Sequence, residues 1–155
     1  MMVLMDKKDI SFLEQLLYNV DENYVINQLM NTNDSLLLHY FAANYNWNSG
    51  FDIPTVILQN EACDLGTGLL MFHYADGYRF LENSGEILSF SLIEWTDFLN
   101  KIYNKLINLE FKSQNISFDP ELTKIQQYKL RKDSPNLPYV LINKSPGEVV
   151  NIPKI

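Results

Sequence analysis

Five side chains in the sequence have types that support catalysis or metal binding: His39, Cys63, Asp64, His73 and Asp76. His73 and Asp76 are three residues apart, so on a helix the imidazole and the carboxylate are neighbours. Cys63 and His73, with His39, offer ligand types that zinc accepts, but they lack the paired short spacings of specific zinc motifs. A Cys63–His73 nucleophile pair is the weaker alternative, because nothing in the spacing brings the two within reach.

Each of these residues also has a structural interpretation. Cys63 is typical of a small buried apolar residue, and His39 of a hydrogen-bonded helix residue. Asp64 and Asp76 are placed to cap helices. The chain contains no P-loop, G-x-G-x-x-G, H-E-x-x-H or G-x-S-x-G motif. The sequence therefore predicts no catalytic residue, no bound metal and no cofactor.

The spacing of apolar residues predicts a mainly α protein, a single domain over 1–155 built as a compact array of about six short helices. Ser11 and Glu14 form a capping box, with Asp6 and Asp9 as alternative caps for the first helix. Asp21 is expected to cap the second helix. The predicted helices are 8–19, 22–30, 35–44, 54–59, 65–76, 91–110 and 120–130.

Two predicted boundaries depend on turn residues. Gly77 is expected to stop the fifth helix, and 78–90 to form a linking segment with a turn at 83–85. The helix over 91–110 is long and amphipathic, with apolar residues at intervals of three and four. The tail over 133–155 contains four prolines and is expected to be irregular or a two-stranded hairpin around "KSPG".

The stretch "NYNWNSGFDIP" at 44–54 is either a binding loop or a corner between two helices. Asn46, Asn48 and Gly50 can adopt the positive φ of tight turns. Trp47 and Phe51 are too apolar to remain free and are expected to pack on the core. Asn44 is expected to end the third helix, and Asp52 and Pro54 to begin the fourth. A corner therefore accounts for nearly every residue.

Nine aromatic residues between Tyr40 and Phe80 allow either an aromatic core between the third and fifth helices or a ligand pocket. The core is the favoured interpretation. The single Cys63 excludes an internal disulfide framework. The chain start places its charges after a short apolar piece, the reverse of a secretory signal. A cytoplasmic location is therefore expected.

The charge is unevenly distributed along the chain. Residues 1–99 hold fourteen acids and three bases, whereas residues 100–155 hold five acids and nine bases. Such an acidic surface repels phosphate backbones, so nucleic acid is an unexpected partner. No apolar run has the length of a membrane span. The acidity is either a solubility feature or a surface for a basic partner, with these candidate residues: Asp21, Glu22, Asp34, Asp52, Glu61 and Glu82.

Residues 36–81 carry a series of residue types in one order over a short span. An N-x-N-W-x-x-G-F…P pattern is followed by C-D-x-G-T and a short aromatic helix ending in A-D-G. The stretch resembles a family of small bacterial domains of unknown function. In this chain the signature falls on Asn46, Trp47, Gly50, Phe51, Pro54, Cys63, Asp64, Asp76 and Gly77.

The resemblance implies no established activity, so no residue inherits a catalytic role. Some relatives resemble components of toxin gene clusters, in which small acidic proteins bind and block a toxin. The leading hypothesis is thus a non-enzymatic, cytoplasmic protein-binding module, with an immunity-type inhibitor as its finer form. The alternative is a small-molecule-binding protein or an enzyme that uses the neighbourhood of His39, Cys63, His73 and Asp76.

Overall fold

A computed structural model describes residues 6–82 and 93–155. Within these residues the protein is mainly α-helical, as the sequence predicts, with two short paired strands. A 3-10 turn at Tyr139–Leu141 precedes the second strand. The elements are α1 Lys7–Leu17, α2 Glu22–Met30, α3 Ser35–Asn44, α4 Asp52–Gln59, α5 Leu65–Tyr74, α6 Gly77–Glu82, α7 Ile93–Ile107, β1 Ile116–Ser117, α8 Lys124–Asp133 and β2 Glu148–Val149.

Four of the helices begin at an aspartate. The side chains of Asp6, Asp21, Asp34 and Asp64 accept backbone N–H groups at the starts of α1, α2, α3 and α5. A short carboxylate at this position satisfies amides that have no partner within the helix. The caps on α2 and α5 match the prediction, and Asp6 rather than the Ser11 box starts α1.

The helices α3 and α5 form the centre of the packing. Both are apolar on nearly every side, and they pack against each other. Around them, α1 packs on α3, α2 on α4, α7 on α5, and α6 on α5 and α8. The buried apolar side chains form one cluster, in which Tyr40, Phe41 and Phe72 are the largest fully buried members. Tyr40, Phe41 and Phe72 therefore supply core, as predicted, whereas Tyr74 is 44% exposed.

The corner at 44–54 differs from prediction in its backbone details. Gly50 is the one residue of this corner that adopts a positive φ, at 99°, so Asn44, Asn46 and Asn48 do not use the left-handed region. Helix α4 begins at Asp52, and its N-cap, Phe51, makes no side-chain hydrogen bond to the helix. Asp52 lies inside the first turn, where its charge favours the helix dipole, rather than capping it.

The end of α5 is another correction. The helix stops at Tyr74, and Asp76 takes the left-handed conformation at φ 68°. Gly77 does not stop α5, because it begins α6. A Cβ at Gly77 would lie 2.5 Å from the Phe72 carbonyl oxygen, so close packing requires this glycine. Residues 78–82 of the predicted linking segment are thus helical, and the predicted turn at 83–85 lies outside the described residues.

The long helix α7 is confirmed over Ile93–Ile107, and residues 91 and 92 of the predicted helix lie outside the described residues. Phe98, Leu99, Ile102 and Leu106 form its buried side. The predicted helix extends too far at its end, because Leu109 has a φ of 51° and is 53% exposed. Leu109 continues the spacing of the apolar residues of α7, but its side chain lies outside the core.

The tail contains two corrections. Helix α8 begins at Lys124 rather than at 120, because Thr123 caps it in a reciprocal capping box with Gln126. Glu121 precedes the helix with a φ of 54°. The expected hairpin is wrong: β2 pairs in parallel with β1, which lies far away in sequence. Gly147, at φ 112°, brings its backbone against Asn115, where a Cβ would be 2.5 Å from the carbonyl oxygen. None of the described helices has the length and apolarity needed to cross a membrane.

Candidate functional site

Asp64 is the most highly connected of the predicted candidate residues. Its carboxylate is fully buried and accepts four hydrogen bonds, two at each oxygen. Oδ1 accepts from the Ser113 hydroxyl (2.6 Å) and the Asn115 amide (2.7 Å). Oδ2 accepts from the amides of Gly66 (3.0 Å) and Ile116 (3.1 Å). Asp64 therefore caps α5 and also anchors the segment that leads into β1.

The residues after Asp64 complete this junction. A Cβ at Gly66 would lie 1.8 Å from the Ile116 carbonyl oxygen, and one at Gly68 would lie 2.4 Å from the Phe111 ring. Glycine at both positions allows the 111–116 segment to lie directly on α5. The Thr67 hydroxyl lies 2.9 Å from His39 Nδ1 and links α5 to α3. The "CDLGTG" stretch is thus explained by packing and hydrogen bonding.

Burial makes His39 and Cys63 poor reagents at neutral pH. Desolvation lowers the pKa of His39 to about 4, against an opposing effect of the Asp64 charge. Desolvation likewise raises the pKa of the Cys63 thiol to about 12, although Lys105 opposes the shift. Because the thiolate is the nucleophile and the zinc ligand, a thiol with this pKa is suited to packing rather than to reaction.

His73 and Asp76 have separate environments. His73 Nε2 lies 2.7 Å from the Leu141 carbonyl oxygen, and the ring stacks on Phe118. Desolvation lowers the pKa of His73, and the hydrogen bond to Leu141 opposes the shift. Asp76 is exposed. Among the described residues, no hydrogen bond or ion pair joins any two of His39, Cys63, His73 and Asp76, and no group of three such side chains could hold a metal ion.

The signature corner at 44–54 is fixed by its own aromatic side chains. Trp47 is partly buried against the core and donates from Nε1 to the Ala42 carbonyl oxygen at 3.2 Å. Its ring meets Tyr45 edge-on, with centroids 5.3 Å apart, and the Tyr45 hydroxyl donates to the Gly50 carbonyl oxygen. Phe51 stacks on Phe98 of α7 at 5.2 Å. These contacts make the stretch a braced corner rather than a free loop.

A cavity of about 300 Å³ lies between this corner and the connection from α1 to α2. Its wall includes Tyr18, Val20, Glu22, Tyr45 and Asn46. Burial raises the pKa of Tyr45 to about 12, and the charges of Glu22 and Asp52 act in the same direction. Two of the predicted partner-surface acids therefore lie near one phenol at this cavity, and Asp21 adjoins Glu22 in sequence.

The other predicted partner-surface acids have different surroundings. Asp34 caps α3. Desolvation raises the pKa of Asp9, and the charges of Asp6 and Asp34 act in the same direction. Glu61 forms an exposed ion pair with Lys112 at 2.9 Å. Desolvation raises the pKa of Tyr78, and the charge of Glu82 acts in the same direction. The six acids therefore do not form one continuous site.

Sequence reasoning missed the exposed apolar residues beside Glu22. Tyr18 is 68% exposed and Val20 is 100% exposed, although Val20 follows the apolar spacing of α1. Helix α1 ends at Leu17, so Val20 falls in the connection and points away from the core. We name the surface formed by Tyr18, Val20, Asp21, Glu22 and Asp52 the acidic corner. A sequence signal does exist, because no Lys or Arg occurs between positions 9 and 78.

Comparison with known proteins gives one result. Residues 33–107, from the start of α3 to the end of α7, match a family model described as "Domain of unknown function (DUF4274)". No curated protein and no solved structure showed significant similarity to the chain. The match supports the resemblance to a family of domains with unknown function, and it covers the signature corner and the buried carboxylate of Asp64.

Proposed function

We propose that this protein is a protein-binding module whose acidic corner contacts a basic protein partner. The observation that carries the proposal is the exposure of Tyr18 and Val20 beside Asp21 and Glu22, in a stretch that lacks Lys and Arg. Exposed apolar side chains bordered by acids provide both contact area and electrostatic steering for a basic surface. Tyrosine is also a frequent centre of binding energy.

The internal use of the reactive side chains supports a non-enzymatic role. The carboxylate of Asp64 binds four donors of its own chain, and burial disfavours the charged forms of His39 and Cys63. A catalytic group must exchange protons or electron pairs with a substrate, which such engaged groups do poorly. The surface rather than the interior is thus the better candidate for function.

The finer proposal is an immunity-type inhibitor that acts in the cytoplasm on a basic toxin. It draws support from the acidic corner and from the resemblance of some relatives to components of toxin gene clusters. An acidic surface suits this role because long-range attraction accelerates association with a basic target.

The test uses co-expression with toxins encoded beside the gene, together with binding kinetics on the purified pair. Glu22→Lys/Asp52→Lys reverses two charges of the acidic corner. Glu94→Lys/Asp97→Lys makes the same charge change at exposed positions of α7. The expected result is that the first pair lowers the association rate at least about tenfold and abolishes protection, whereas the second pair preserves both. Equal effects of the two pairs would exclude the acidic corner as the binding surface.

A further inference from the structure

The outer face of α8 is a second exposed surface, with the opposite charge. Ile125 and Tyr128 are 67% and 66% exposed. Positions separated by three, four and seven residues share one face of a helix, so Lys129 and Lys132 lie beside them. Helix α8 carries four bases and one acid. We name the surface formed by Ile125, Tyr128, Lys129 and Lys132 the basic stripe.

A neighbouring aromatic residue extends the basic stripe. Tyr139 is 65% exposed, and the Arg131 guanidinium carbon lies 4.0 Å from its ring centroid. The contact is close enough for a cation–π interaction and holds a positive charge beside the apolar side chains. Three large apolar side chains, each about two-thirds exposed, thus occur together with several bases. Such a concentration on one surface is typical of an interaction site.

The acidic corner and the basic stripe belong to different parts of the helix packing. Helix α1 packs on α3, α3 on α5, α5 on α6 and α6 on α8. Val20 is 100% exposed and Ile125 and Tyr128 are about two-thirds exposed, so the two surfaces do not cover each other within one chain. Contact between the two surfaces consequently requires two copies of the chain.

We infer that the acidic corner of one copy docks on the basic stripe of a second copy, in a head-to-tail arrangement. The two surfaces have opposite charge, and each presents exposed apolar side chains, Tyr18 and Val20 on one and Ile125 and Tyr128 on the other. A second copy always supplies the complementary surface in equal amount. This interface goes beyond the proposed function. Because the second copy and a basic partner would bind the same acidic corner, the partner would compete with self-association.

The arrangement predicts the form of the assembly. A head-to-tail contact uses two different surfaces, so each dimer leaves one acidic corner and one basic stripe free, and further copies can add. A contact between one helix face and one corner is small, so the association is weak and reversible. Electrostatic attraction contributes, and salt weakens it as the screening length falls from about 10 Å at 0.1 M to about 3 Å at 1 M.

The experiment measures the weight-average mass of the full chain against concentration by analytical ultracentrifugation. Tyr18→Ser/Val20→Ser removes the apolar contacts of the acidic corner, and Ile125→Ser/Tyr128→Ser removes those of the basic stripe. Met30→Ser/Val149→Ser is the matched control, because Met30 and Val149 are 63% and 51% exposed on other elements. The wild type and the control are expected to increase in mass with concentration at about 0.1 M salt and to return to monomer at about 1 M salt.

Mixing the two variants gives the decisive result. Each variant alone is expected to remain monomeric, whereas an equimolar mixture forms a dimer and nothing larger, because it retains one intact surface of each kind. A wild type that stays monomeric at millimolar concentration overturns the proposal, as does a mixture that contains only monomers. Stripe-dependent binding of a single-stranded oligonucleotide, without self-association, would instead assign the basic stripe to nucleic acid and overturn the proposal.

Discussion

Replacing the buried carboxylate of Asp64 tests the central structural claim. In Asp64→Ala the α5 cap is lost, which costs about 1 kcal/mol. The amides of Asn115 and Ile116 and the Ser113 hydroxyl also lose their acceptor. The loss costs about 1–3 kcal/mol at the buried Ile116 amide and about 1 kcal/mol at each of the two partly buried donors, so the expected total with the cap is about 4–6 kcal/mol. That is a large share of a domain's usual stability of about 5–15 kcal/mol.

Asp64→Asn separates the charge from the shape of the side chain. The amide oxygen can replace Oδ2 and keep the bonds from Gly66 and Ile116. The amide nitrogen then replaces Oδ1, where the Ser113 hydroxyl can rotate to accept, but the Asn115 amide loses its acceptor. The expected cost is about 2 kcal/mol, mostly from that one unpaired amide.

Ser113→Ala is the matched control, because it removes one of the four donors and leaves the carboxylate in place. The expected cost is about 1 kcal/mol. Urea unfolding followed by circular dichroism gives the three free energies, and hydrogen exchange at Asn115 reports the local bond. If the free energy of unfolding of Asp64→Asn is within about 0.5 kcal/mol of the wild-type value and hydrogen exchange at Asn115 is unchanged, the carboxylate does not anchor the segment before β1.

Three further predictions concern the same core and are each measured by denaturant unfolding. Burial lowers the pKa of His39 from 6.5 to about 4, so the unfolded state takes up the proton first. His39 is therefore expected to contribute a fall in stability of about 2 kcal/mol between about pH 7.5 and pH 5. A His39→Gln variant should lose that contribution, whereas the lowered pKa of His73 leaves a remaining slope of the same sign. Gly66→Ala is expected to cost about 3 kcal/mol, since its Cβ would meet the Ile116 carbonyl oxygen, and a cost below about 0.5 kcal/mol would contradict that close approach. Trp47→Phe removes the hydrogen bond to the Ala42 carbonyl oxygen and is expected to lower the free energy of unfolding by about 1 kcal/mol. Trp47→Ala also removes the ring contacts and is expected to lower it by about 3 kcal/mol. Equal losses in the two variants would assign the effect to the hydrogen bond alone.

Local interactions made the helical part of the fold predictable from sequence. Asp21, Asp34 and Asp64 cap helices through atoms only two or three residues away, so residue type and position suffice to identify them. The periodic apolar positions of α7 likewise report which side faces the core. These interactions depend little on the rest of the chain.

Non-local contacts explain what the sequence did not reveal. The strand β2 pairs with β1 across about thirty residues, and no local pattern favours that partner over a hairpin. Gly77 has the form of a helix stop, but its closeness to Phe72 is a packing requirement that only the tertiary structure exposes. Val20 continues an apolar spacing after α1 has ended, so periodicity alone does not reveal that it is fully exposed.

The buried junction also changes how the family match is understood. The matched residues 33–107 include Asp64, but three of its four donors belong to Ser113, Asn115 and Ile116, beyond the match. Gly68 similarly receives the Phe111 ring, and His73 contacts the Leu141 carbonyl oxygen. Residues 108–155 therefore supply the hydrogen-bond donors and packing that the "CDLGTG" stretch requires. Because that stretch has a complete structural explanation, its polar side chains are poor evidence for a catalytic site, and the exposed acidic corner is the better place to look for function.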